Sequence, residues 1–375
     1  MNNKSRINLL IYIYGMHHGG AERVVASLAN NLDKDRYRVT ICWSTLRGHI
    51  GNELMALGHE VIGLPEIDAT SSPYLRFLVL KKLIREKSID ILHTHDIGSL
   101  VDGAQCILIG SKARLIHTYH FGNYPHLKRR YILMETLFSR VAKGLVAVGH
   151  EQAKVMTKTL HLPASRLITI YNGVEIKKSE AENDIVEPYR QKYNNPTVIC
   201  SISTLTEQKG IPYLLDTAKI LHQKNVNYIL LIVGDGPLRQ QLEEKCLQLG
   251  LENRVHFLGW IPDAAINLLP FIDIFCQSSL WEANSIALLE AMAAGVPIVT
   301  TEAGESRHII NEGKNGMIVK PRDPAGLATA LESMVANPQQ RQEMGQAAQR
   351  DYKEKYTVSN MISNYSELYE RVARK

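Results

Sequence analysis

The strongest constraint on the fold of this chain is a repeated alternation of short apolar runs with longer amphipathic segments. Residues 7–13 are apolar except for Asn8, and a pattern with helical spacing begins near Ala21. A strand buried on both faces of a parallel sheet gives such a run. Similar runs predict strands at 37–43, 60–64, 89–93, 114–119, 144–148 and 167–171, with helices near 51–57, 74–87, 98–109, 127–140 and 151–160. This alternation predicts a doubly wound parallel sheet.

A polar stretch at 175–195, rich in Glu, Lys and Asn, interrupts the alternation. The alternation then resumes, with predicted strands at 197–202, 228–233, 254–258, 272–276, 297–300 and 316–319, and helices near 212–223, 237–249, 286–294 and 324–336. The chain has 375 residues, which is too many for one typical core. We therefore predict two α/β domains, at 1–174 and 196–356, joined by a linker at 175–195.

Two glutamates, Glu282 and Glu290, stand eight positions apart around the start of a predicted helix. Residues 286–294 are good helix formers, and Gly295 followed by Pro297 ends the helix. The helix N-terminus offers unpaired N–H groups and a partial positive charge, which suit a phosphate. The glutamates on either side could accept hydrogen bonds from sugar or ribose hydroxyls. An ordinary buried helix with one solvated and one capping carboxylate is the alternative.

This E-x7-E segment resembles the signature of retaining glycosyltransferases of the large family four, which have the GT-B architecture. Further segments resemble motifs of that family in the same order, namely Gly19-Gly20-Ala21-Glu22-Arg23, Tyr171-Asn172-Gly173-Val174-Glu175, Gln208-Lys209-Gly210, Gly234-Asp235-Gly236-Pro237 and Phe257-Leu258-Gly259. The resemblance implies two Rossmann-like domains that face each other across a cleft. It also implies that the last helix, at about 357–375, packs back on the N-terminal domain.

The resemblance implies roles for individual residues. Glu282 would bind the donor sugar, Lys209 the diphosphate and Glu290 the ribose. His120 would contact the transferred sugar, so Glu282, His120 and Lys209 form the predicted catalytic set. The other substrate-binding residues that it implies are Gly19, Gly20, Thr204, Gly234, Asn284, Ser285 and Ile286. From the residues alone, two glycines are also typical of a tight turn without a ligand, and a histidine after a strand is often structural.

The chain departs from the family pattern at the diphosphate site. The arginine usually found five residues before Lys209 is replaced by Thr204, which removes one bidentate phosphate contact. Arg239 and Arg307 are the candidates to replace it, because they follow nearby motifs. Other departures, which bear on substrate detail rather than on the class of reaction, are Ala283, Glu305 and His308.

The sequence predicts no metal site and no cofactor. The histidines and the aspartate of the N-terminal half show no H-x-x-x-H or H-E-x-x-H spacing; they are His17, His18, His93, His95, Asp96, His117 and His120. Asp33-Lys34-Asp35 resembles the D-x-D of a different, metal-dependent glycosyltransferase architecture, but it lies in a polar turn far from the other motifs. The five cysteines include no C-x-x-C pair and are expected to be reduced core residues of a cytosolic protein.

Positive charge is concentrated in the N-terminal half. Residues 1–175 hold 22 Lys and Arg against 14 Asp and Glu, whereas the rest of the chain holds 21 against 24. A basic helix pattern at 74–87 and the cluster Lys128-Arg129-Arg130 predict peripheral contact with an anionic membrane surface. A basic face that is simply solvated is the alternative. Nucleic acid is not expected, because aromatic residues do not alternate with the basic ones.

From these features we expect a cytosolic, metal-independent glycosyltransferase. It would move a hexose from a nucleotide diphosphate sugar, by default a UDP-sugar, to a hydroxyl of a lipid-linked or cell-envelope glycan precursor, with retention of configuration. No apolar run approaches the roughly 20 residues that span a bilayer, and residues 1–6 lead directly into a strand-like segment. A nucleotide-sugar epimerase or phosphorylase of the same architecture and a non-catalytic nucleotide-sugar-binding protein are the alternatives.

Overall fold

The computed structural model describes residues 6–16, 19–64, 68, 72–123, 127–175 and 185–374. The chain divides into two compact units. The first contains Met1–Gly173 and Val358–Lys375, and the second contains Val174–Thr357. Each unit has its own hydrophobic core and its own parallel sheet.

The first unit is a seven-stranded sheet in the order β3-β2-β1-β4-β5-β6-β7. Every pairing in it is parallel. Its strands are β1 Ile7–Gly15, β2 Tyr37–Leu46, β3 Glu60–Gly63, β4 Ile91–Thr94, β5 Arg114–Tyr119, β6 Gly144–Ala147 and β7 Leu167–Thr169. Its helices are α1 Gly20–Asn31, α2 Gly48–Ala56, α3 Arg76–Glu86, α4 Ile97–Leu108, α5 Arg129–Phe138 and α6 His150–Thr159.

The second unit is a six-stranded parallel sheet in the order β10-β9-β8-β11-β12-β13. Its strands are β8 Thr197–Ile202, β9 Tyr228–Val233, β10 Val255–Gly259, β11 Ile274–Gln277, β12 Ile298–Thr301 and β13 Met317–Val319. Its helices are α7 Glu187–Lys192, α8 Ile211–Gln223, α9 Arg239–Gln248, α10 Ala264–Asn267, α11 Ile286–Ala294, α12 Ser306–Ile309, α13 Pro324–Ala336 and α14 Pro338–Lys355. The fold class is therefore the predicted one, with two doubly wound parallel sheets.

The last helix, α15 Val358–Arg374, belongs to the first unit although it follows the second along the chain. Its buried face includes Tyr365, Leu368 and Tyr369. The ring of Tyr369 packs edge-on against that of Tyr37, the first residue of β2. Aromatic burial of this kind fixes α15 on the sheet of the first unit.

The stretch that the sequence predicts as a linker is helical in part. Residues 176–184 lie outside the described residues, but Glu187–Lys192 forms α7. Nη2 of Arg190 donates to Oδ2 of Asp273 at 2.9 Å and to the carbonyl of Phe271 at 3.1 Å. These bonds attach α7 to the second unit. The polar composition of residues 187–192 therefore belongs to a solvated surface helix and not to a flexible linker.

The other predicted strands and long helices agree with the observed ones to within about two or three residues at their ends, as expected where helices fray. Short helices such as α10 and α12 do not follow from the sequence pattern. Among the described residues, no helix is long and apolar enough to cross a membrane.

Candidate active site

The loops that follow three neighbouring strands of the second sheet carry most of the residues predicted to bind the donor. These strands are β9, β8 and β11, adjacent in that order. Because they are parallel, their carboxyl ends meet at one edge of the sheet, where ligands bind in folds of this kind. The predicted residues on these loops are Thr204, Lys209, Gly234, Glu282, Asn284, Ser285 and Ile286.

A buried ion pair joins the loop after β8 to the loop after β11. Nζ of Lys209 donates to Oε1 of Glu282 at 2.5 Å, and the two side chains are 18% and 7% exposed. Oγ of Ser279 donates to the same oxygen at 2.8 Å, and Nε2 of Gln208 donates to Oε2 at 3.1 Å. Three side chains therefore hold the carboxylate of Glu282, and the predicted phosphate-binding amine is one of them.

Backbone contacts fix Lys209 in this place. It ends a 3-10 turn, Glu207–Lys209, just before α8. Oγ of Ser278 donates to the carbonyl of Lys209 at 2.9 Å, and the N–H of Leu280 donates to the carbonyl of Gln208 at 2.7 Å. The two loops are thus joined at the main chain as well as through the ion pair.

The helix of the E-x7-E segment begins and ends where the sequence predicts. Ser285 is the N-cap of α11, and its Oγ accepts the N–H of Leu288 at 3.3 Å and donates to Oε1 of Gln277 at 2.6 Å. Glu282 lies three residues before this cap, and Glu290 lies half-buried on the second turn. The first N–H groups of α11 have no acceptor within the helix, so this end favours an anion.

Gly234 and Thr204 occupy adjacent loops at the same edge. Gly234 follows β9 with φ 127°, and a Cβ there would stand 1.9 Å from the carbonyl oxygen of Ser203. Only glycine fits this approach of the two backbones. Thr204 is exposed at the end of β8, where relatives of the resembled family have an arginine.

The two arginines predicted as replacements already have carboxylate partners. Arg239 pairs with Asp235 at 3.1 Å and with Glu243 at 2.9 Å. Arg307 pairs with Glu302 at 2.6 Å. A phosphate would have to compete with these carboxylates for either guanidinium, as it would have to compete with Glu282 for Lys209.

The loop after β12 packs against the backbone of the E-x7-E loop. Gly304 has φ 57°, and a Cβ there would stand 2.1 Å from the carbonyl oxygen of Glu282. The N–H of Glu305 donates to the carbonyl of Ala283 at 3.2 Å, and Glu305 itself is buried. Ala283 and Glu305, two of the residues that depart from the family pattern, therefore lie next to each other and next to Glu282.

In the first unit, the predicted glycines begin α1. Gly19 is the N-cap of this helix and Gly20 its first residue. The preceding His17 and His18 lie outside the described residues. The glycines lie beyond the carboxyl end of β1, which is the edge that the sequence predicts for them.

His120 follows β5, as predicted, and pairs with another histidine. Its Nε2 lies 3.0 Å from Nδ1 of His95, which follows the adjacent strand β4. The two rings are nearly parallel, with an interplanar angle of 17°. His93 lies beside His95, and its two ring nitrogens lie 2.8 Å from the hydroxyls of Tyr369 and Thr118.

Burial keeps these histidines uncharged. Loss of hydration lowers the pKa of His120 to about 4, and loss of hydration together with the nearby His120 lowers the pKa of His117 to about 3. The same cause holds the pKa values of His93 and His95 well below the usual range. At neutral pH, His120 is therefore a neutral imidazole that can donate or accept one hydrogen bond at each nitrogen.

Within the described part of the chain, no group of three or more His, Cys, Asp and Glu side chains is placed to hold a metal ion. Oδ1 of Asp33 accepts the N–H of Asp35 in the turn between α1 and β2. The cysteines that the structure describes are buried and form no disulfide with one another. Absence of a metal requirement stays a prediction.

Four residues of these sites were not singled out by the sequence. Ser279 and Gln208 hold Glu282, Gln277 binds the cap of α11, and His95 pairs with His120. Gln208 belongs to the quoted segment Gln208-Lys209-Gly210 and Ser279 lies three residues before Glu282, so their nearness to Lys209 and Glu282 could have been noticed. His95 appears in the sequence only as one of several histidines, and its role depends on the pairing of β4 with β5.

Two family models match this chain. The model described as Glycosyltransferase Family 4 matches residues 18–178, and the model described as Glycosyl transferases group 1 matches residues 185–351. Together they cover most of both units.

Individual proteins of known sequence or structure are similar along most of their length. An uncharacterised glycosyltransferase of Methanocaldococcus jannaschii is 29% identical over 75% of each chain. The UDP-Gal:alpha-D-GlcNAc-diphosphoundecaprenol alpha-1,3-galactosyltransferase of Escherichia coli is 26% identical over 67% of this chain and 68% of its own. The crystal structure of Anabaena HepE in complex with UDP-glucose superposes with a TM-score of 0.85 and 22% identity, and the match covers 98% of this chain and 100% of that one.

Proposed function

Because this chain belongs to the glycosyltransferases of family four, which have the GT-B architecture, we propose that it transfers a hexose from UDP-sugar to a hydroxyl of a lipid-linked saccharide. The transfer retains the α configuration and needs no metal ion. The names of the similar proteins support the donor and acceptor classes. The Escherichia coli protein uses UDP-Gal and a diphosphoundecaprenol-linked sugar, and the Anabaena structure contains UDP-glucose.

The observation that carries the proposal is the arrangement of Lys209 and Glu282 ahead of α11. A cation and a helix N-terminus meet at one sheet edge, beside a carboxylate that three side chains hold. The cation and the helix N–H groups suit a diphosphate. The carboxylate suits sugar hydroxyls, so the pair provides both halves of a nucleotide-sugar site.

Each residue has a separate task in the proposed reaction. Lys209 and the N–H groups at the start of α11 stabilise the negative charge that develops on the departing diphosphate, a task that a metal ion performs in other architectures. Glu290 binds ribose hydroxyls, and Glu282 binds the donor sugar. His120, as a neutral imidazole, hydrogen-bonds a hydroxyl of the transferred sugar and helps to orient it.

The anomeric configuration is retained if the acceptor oxygen attacks the sugar on the same face from which the phosphate departs. The acceptor oxygen forms a bond to the anomeric carbon while the bond from that carbon to the phosphate oxygen breaks. The leaving phosphate oxygen takes the proton of the acceptor hydroxyl, so the reaction needs no separate protein base. Glu282 then supports positive charge at the anomeric carbon.

The surface of the first unit supports a membrane-bound acceptor. An exposed stripe runs along α5 into the 3-10 turn Ser139–Val141, with Arg130 and Arg140 on either side of Leu133 and Leu137, which are 59% and 50% exposed. Residues at this spacing share one helix face. Apolar side chains bordered by cations suit the interface of an anionic bilayer.

A second stripe lies on α3 and has the same composition. Leu75, the residue just before α3, and Leu78 are exposed, and Lys82 and Arg85 continue the same face. The α4 helix lies between α3 and α5 and contacts both. The exposed carboxylate on α3 is Glu86, which pairs with Lys82 at 4.0 Å, whereas Glu135 of α5 is buried. We propose that these stripes bind the membrane that carries the acceptor.

A donor screen on the full chain tests the proposed function. UDP, GDP and ADP and their glucose conjugates are compared by thermal unfolding, because a ligand at a hundred times its dissociation constant adds about 2.7 kcal/mol of stability. Transfer is then measured with a diphosphoundecaprenol-linked saccharide, with and without EDTA, and the anomeric configuration of the product is read by NMR. We expect stabilisation by UDP-sugar and an α-linked product in both conditions.

Other outcomes would contradict the proposal in distinct ways. Isomerisation of the donor sugar without an acceptor would identify an epimerase. Binding with neither transfer nor slow hydrolysis would identify a non-catalytic binding protein. Stabilisation by no nucleotide sugar would overturn the assignment of the donor site itself.

A further inference from the structure

The pair of His95 and His120, at the carboxyl ends of β4 and β5, contains one buried ring nitrogen that has no hydrogen-bond partner among the described residues. His95 is 1% exposed, and its Nε2 has no hydrogen-bond partner among the described residues. The neighbouring His93 does not provide one, because both of its ring nitrogens are occupied by hydroxyls. In the part of the chain that the structure describes, the only hydrogen-bond partner of the ring nitrogens of His95 is therefore His120.

A single proton lies between the facing nitrogens of two neutral imidazoles, so two arrangements are possible. If Nε2 of His120 donates, His95 must carry its proton on the buried Nε2, where no acceptor lies among the described residues. If Nδ1 of His95 donates, its Nε2 is a bare acceptor and carries no proton. Buried N–H groups without acceptors are rarer in proteins than underused acceptors, which favours the second arrangement.

From this geometry we propose that His95 is a positioning residue that sets both the orientation and the tautomer of His120. His95 donates from Nδ1 to Nε2 of His120, so the proton of His120 lies on Nδ1. The described residues offer no partner to that Nδ1, and His120 is only half-buried. His120 therefore presents an N–H donor to its ligand, and the matching group on that ligand is an accepting oxygen, such as a sugar hydroxyl.

This inference rests on the proposed function only for the nature of the ligand. The tautomer is a property of the first unit alone and can be measured without any substrate. The test begins with full-length protein labelled with ¹⁵N in its histidine rings. Comparison with His120→Asn assigns the ring signals of His120, and long-range ¹H–¹⁵N correlation shows which nitrogen is protonated.

Three substitutions of His95 separate positioning from packing. Asn places an amide N–H about as far along the side chain as Nδ1, so His95→Asn can still donate to His120. His95→Asp can only accept, so it moves the proton of His120 to Nε2. His95→Leu provides neither donor nor acceptor. His117→Asn is the control, since His117 is equally buried on β5 but bonds Thr94 instead of His120.

We expect the wild type and His95→Asn to show His120 protonated on Nδ1, and His95→Asp to show it protonated on Nε2. Turnover should fall roughly tenfold to a hundredfold in His95→Leu and His95→Asp, as expected when a group that orients the substrate is misplaced. Affinity for UDP should stay within about twofold in every variant. His117→Asn should change stability without moving the proton of His120 or lowering turnover.

A wild-type His120 protonated on Nε2 would overturn the inference whatever the protein catalyses. Equal turnover in His95→Asn and His95→Leu would also overturn it. Only the asparagine can donate a hydrogen bond to His120, so equal rates would mean that His95 acts through packing alone. If the tautomer is as proposed but the wild type uses no nucleotide sugar, the proposed function fails while the role of His95 stands.

Discussion

The Nζ atom of Lys209 and the Oε1 atom of Glu282 lie 2.5 Å apart, in a pair that is almost fully buried. Glu282 therefore neutralises the amine that is proposed to bind phosphate. A diphosphate that binds there must share Lys209 with the carboxylate or displace it. Removal of one partner leaves the charge of the other buried and unpaired, which lowers the stability of the fold by about 3 kcal/mol or more. A loss of activity in a single variant can therefore also reflect damage to the loop.

A double variant separates these effects. We expect Lys209→Met to unfold more easily by about 3 kcal/mol. We also expect it to lose more than about tenfold in the rate of transfer, because the lost charge-assisted hydrogen bond is worth roughly 1.5–3 kcal/mol. Adding Glu282→Gln removes the unpaired charge and should restore most of the stability but none of the rate. Chemical unfolding and initial rates are the measurements, and a rate in the double variant equal to that of Glu282→Gln alone would show that Lys209 has only a structural role.

The two glutamates should affect different constants. Glu290, inside α11, is proposed to bind ribose, so Glu290→Gln should weaken UDP binding by roughly tenfold while the bound enzyme still turns over. Glu282→Gln keeps the volume and should mainly lower kcat, because Glu282 is proposed to bind the sugar. Calorimetric titration with UDP and steady-state kinetics distinguish the two. Wild-type values of both constants in both variants would refute the E-x7-E assignment.

Sequence reasoning predicted the fold because buried parallel strands are nearly continuous in apolar residues. β8, for example, was predicted with its observed ends, 197–202, and α11 with its observed ends, 286–294. The α11 helix begins at a serine N-cap and ends at a glycine, and both are strong local signals. Local chemistry therefore determined where these elements start and stop.

Contacts between distant residues could not be predicted in this way. His95 and His120 are 25 positions apart and meet only because β4 and β5 are neighbours in the sheet. Arg239 could be proposed as a phosphate ligand because the sequence does not reveal its bonds to Asp235 and Glu243. Such pairings depend on the register of strands and helices, which the spacing of residue types does not encode.

Acidification should destabilise the first unit through its buried histidines, and Asp102 offsets part of this effect, because burial raises its pKa to about 6 and it takes up a proton in the folded state. The folded state keeps the buried histidines neutral, whereas the unfolded chain protonates them below about pH 6.5. The unfolded state then binds more protons, so stability falls as the pH drops from about 6.5 towards the lowered pKa values, about 4 for His120 and about 3 for His117. Each such histidine contributes a slope of about 1.4 kcal/mol per pH unit.

Urea unfolding at pH 7, 6 and 5 measures this slope. His117→Asn should lower it by the contribution of one histidine, about 1.4 kcal/mol per pH unit. The exposed His161→Asn is the matched control. A wild-type stability that does not change over this interval would mean that the cluster is protonated, or opens, in the folded protein.

The membrane prediction uses the two cations on the exposed face of α3. Lys81 is unsuitable, because its Nζ donates to the carbonyl of Ile109 at 2.7 Å and so joins α3 to the end of α4. Lys82 and Arg85 are exposed on the outer face of α3. Replacing both with glutamine should weaken binding to anionic vesicles by about thirtyfold at low salt, since each cation near an acidic surface contributes about 1 kcal/mol.

The control for this experiment is a pair of exposed lysines in the second unit, Lys314→Gln with Lys320→Gln, which changes the net charge by the same amount. If total charge alone attracted the protein to vesicles, both double variants would lose binding equally. We expect co-sedimentation to fall only for Lys82→Gln with Arg85→Gln. The difference should shrink as added salt shortens the screening length, while Leu133→Ser on α5 should lower binding at every salt concentration, because the apolar contribution is not screened.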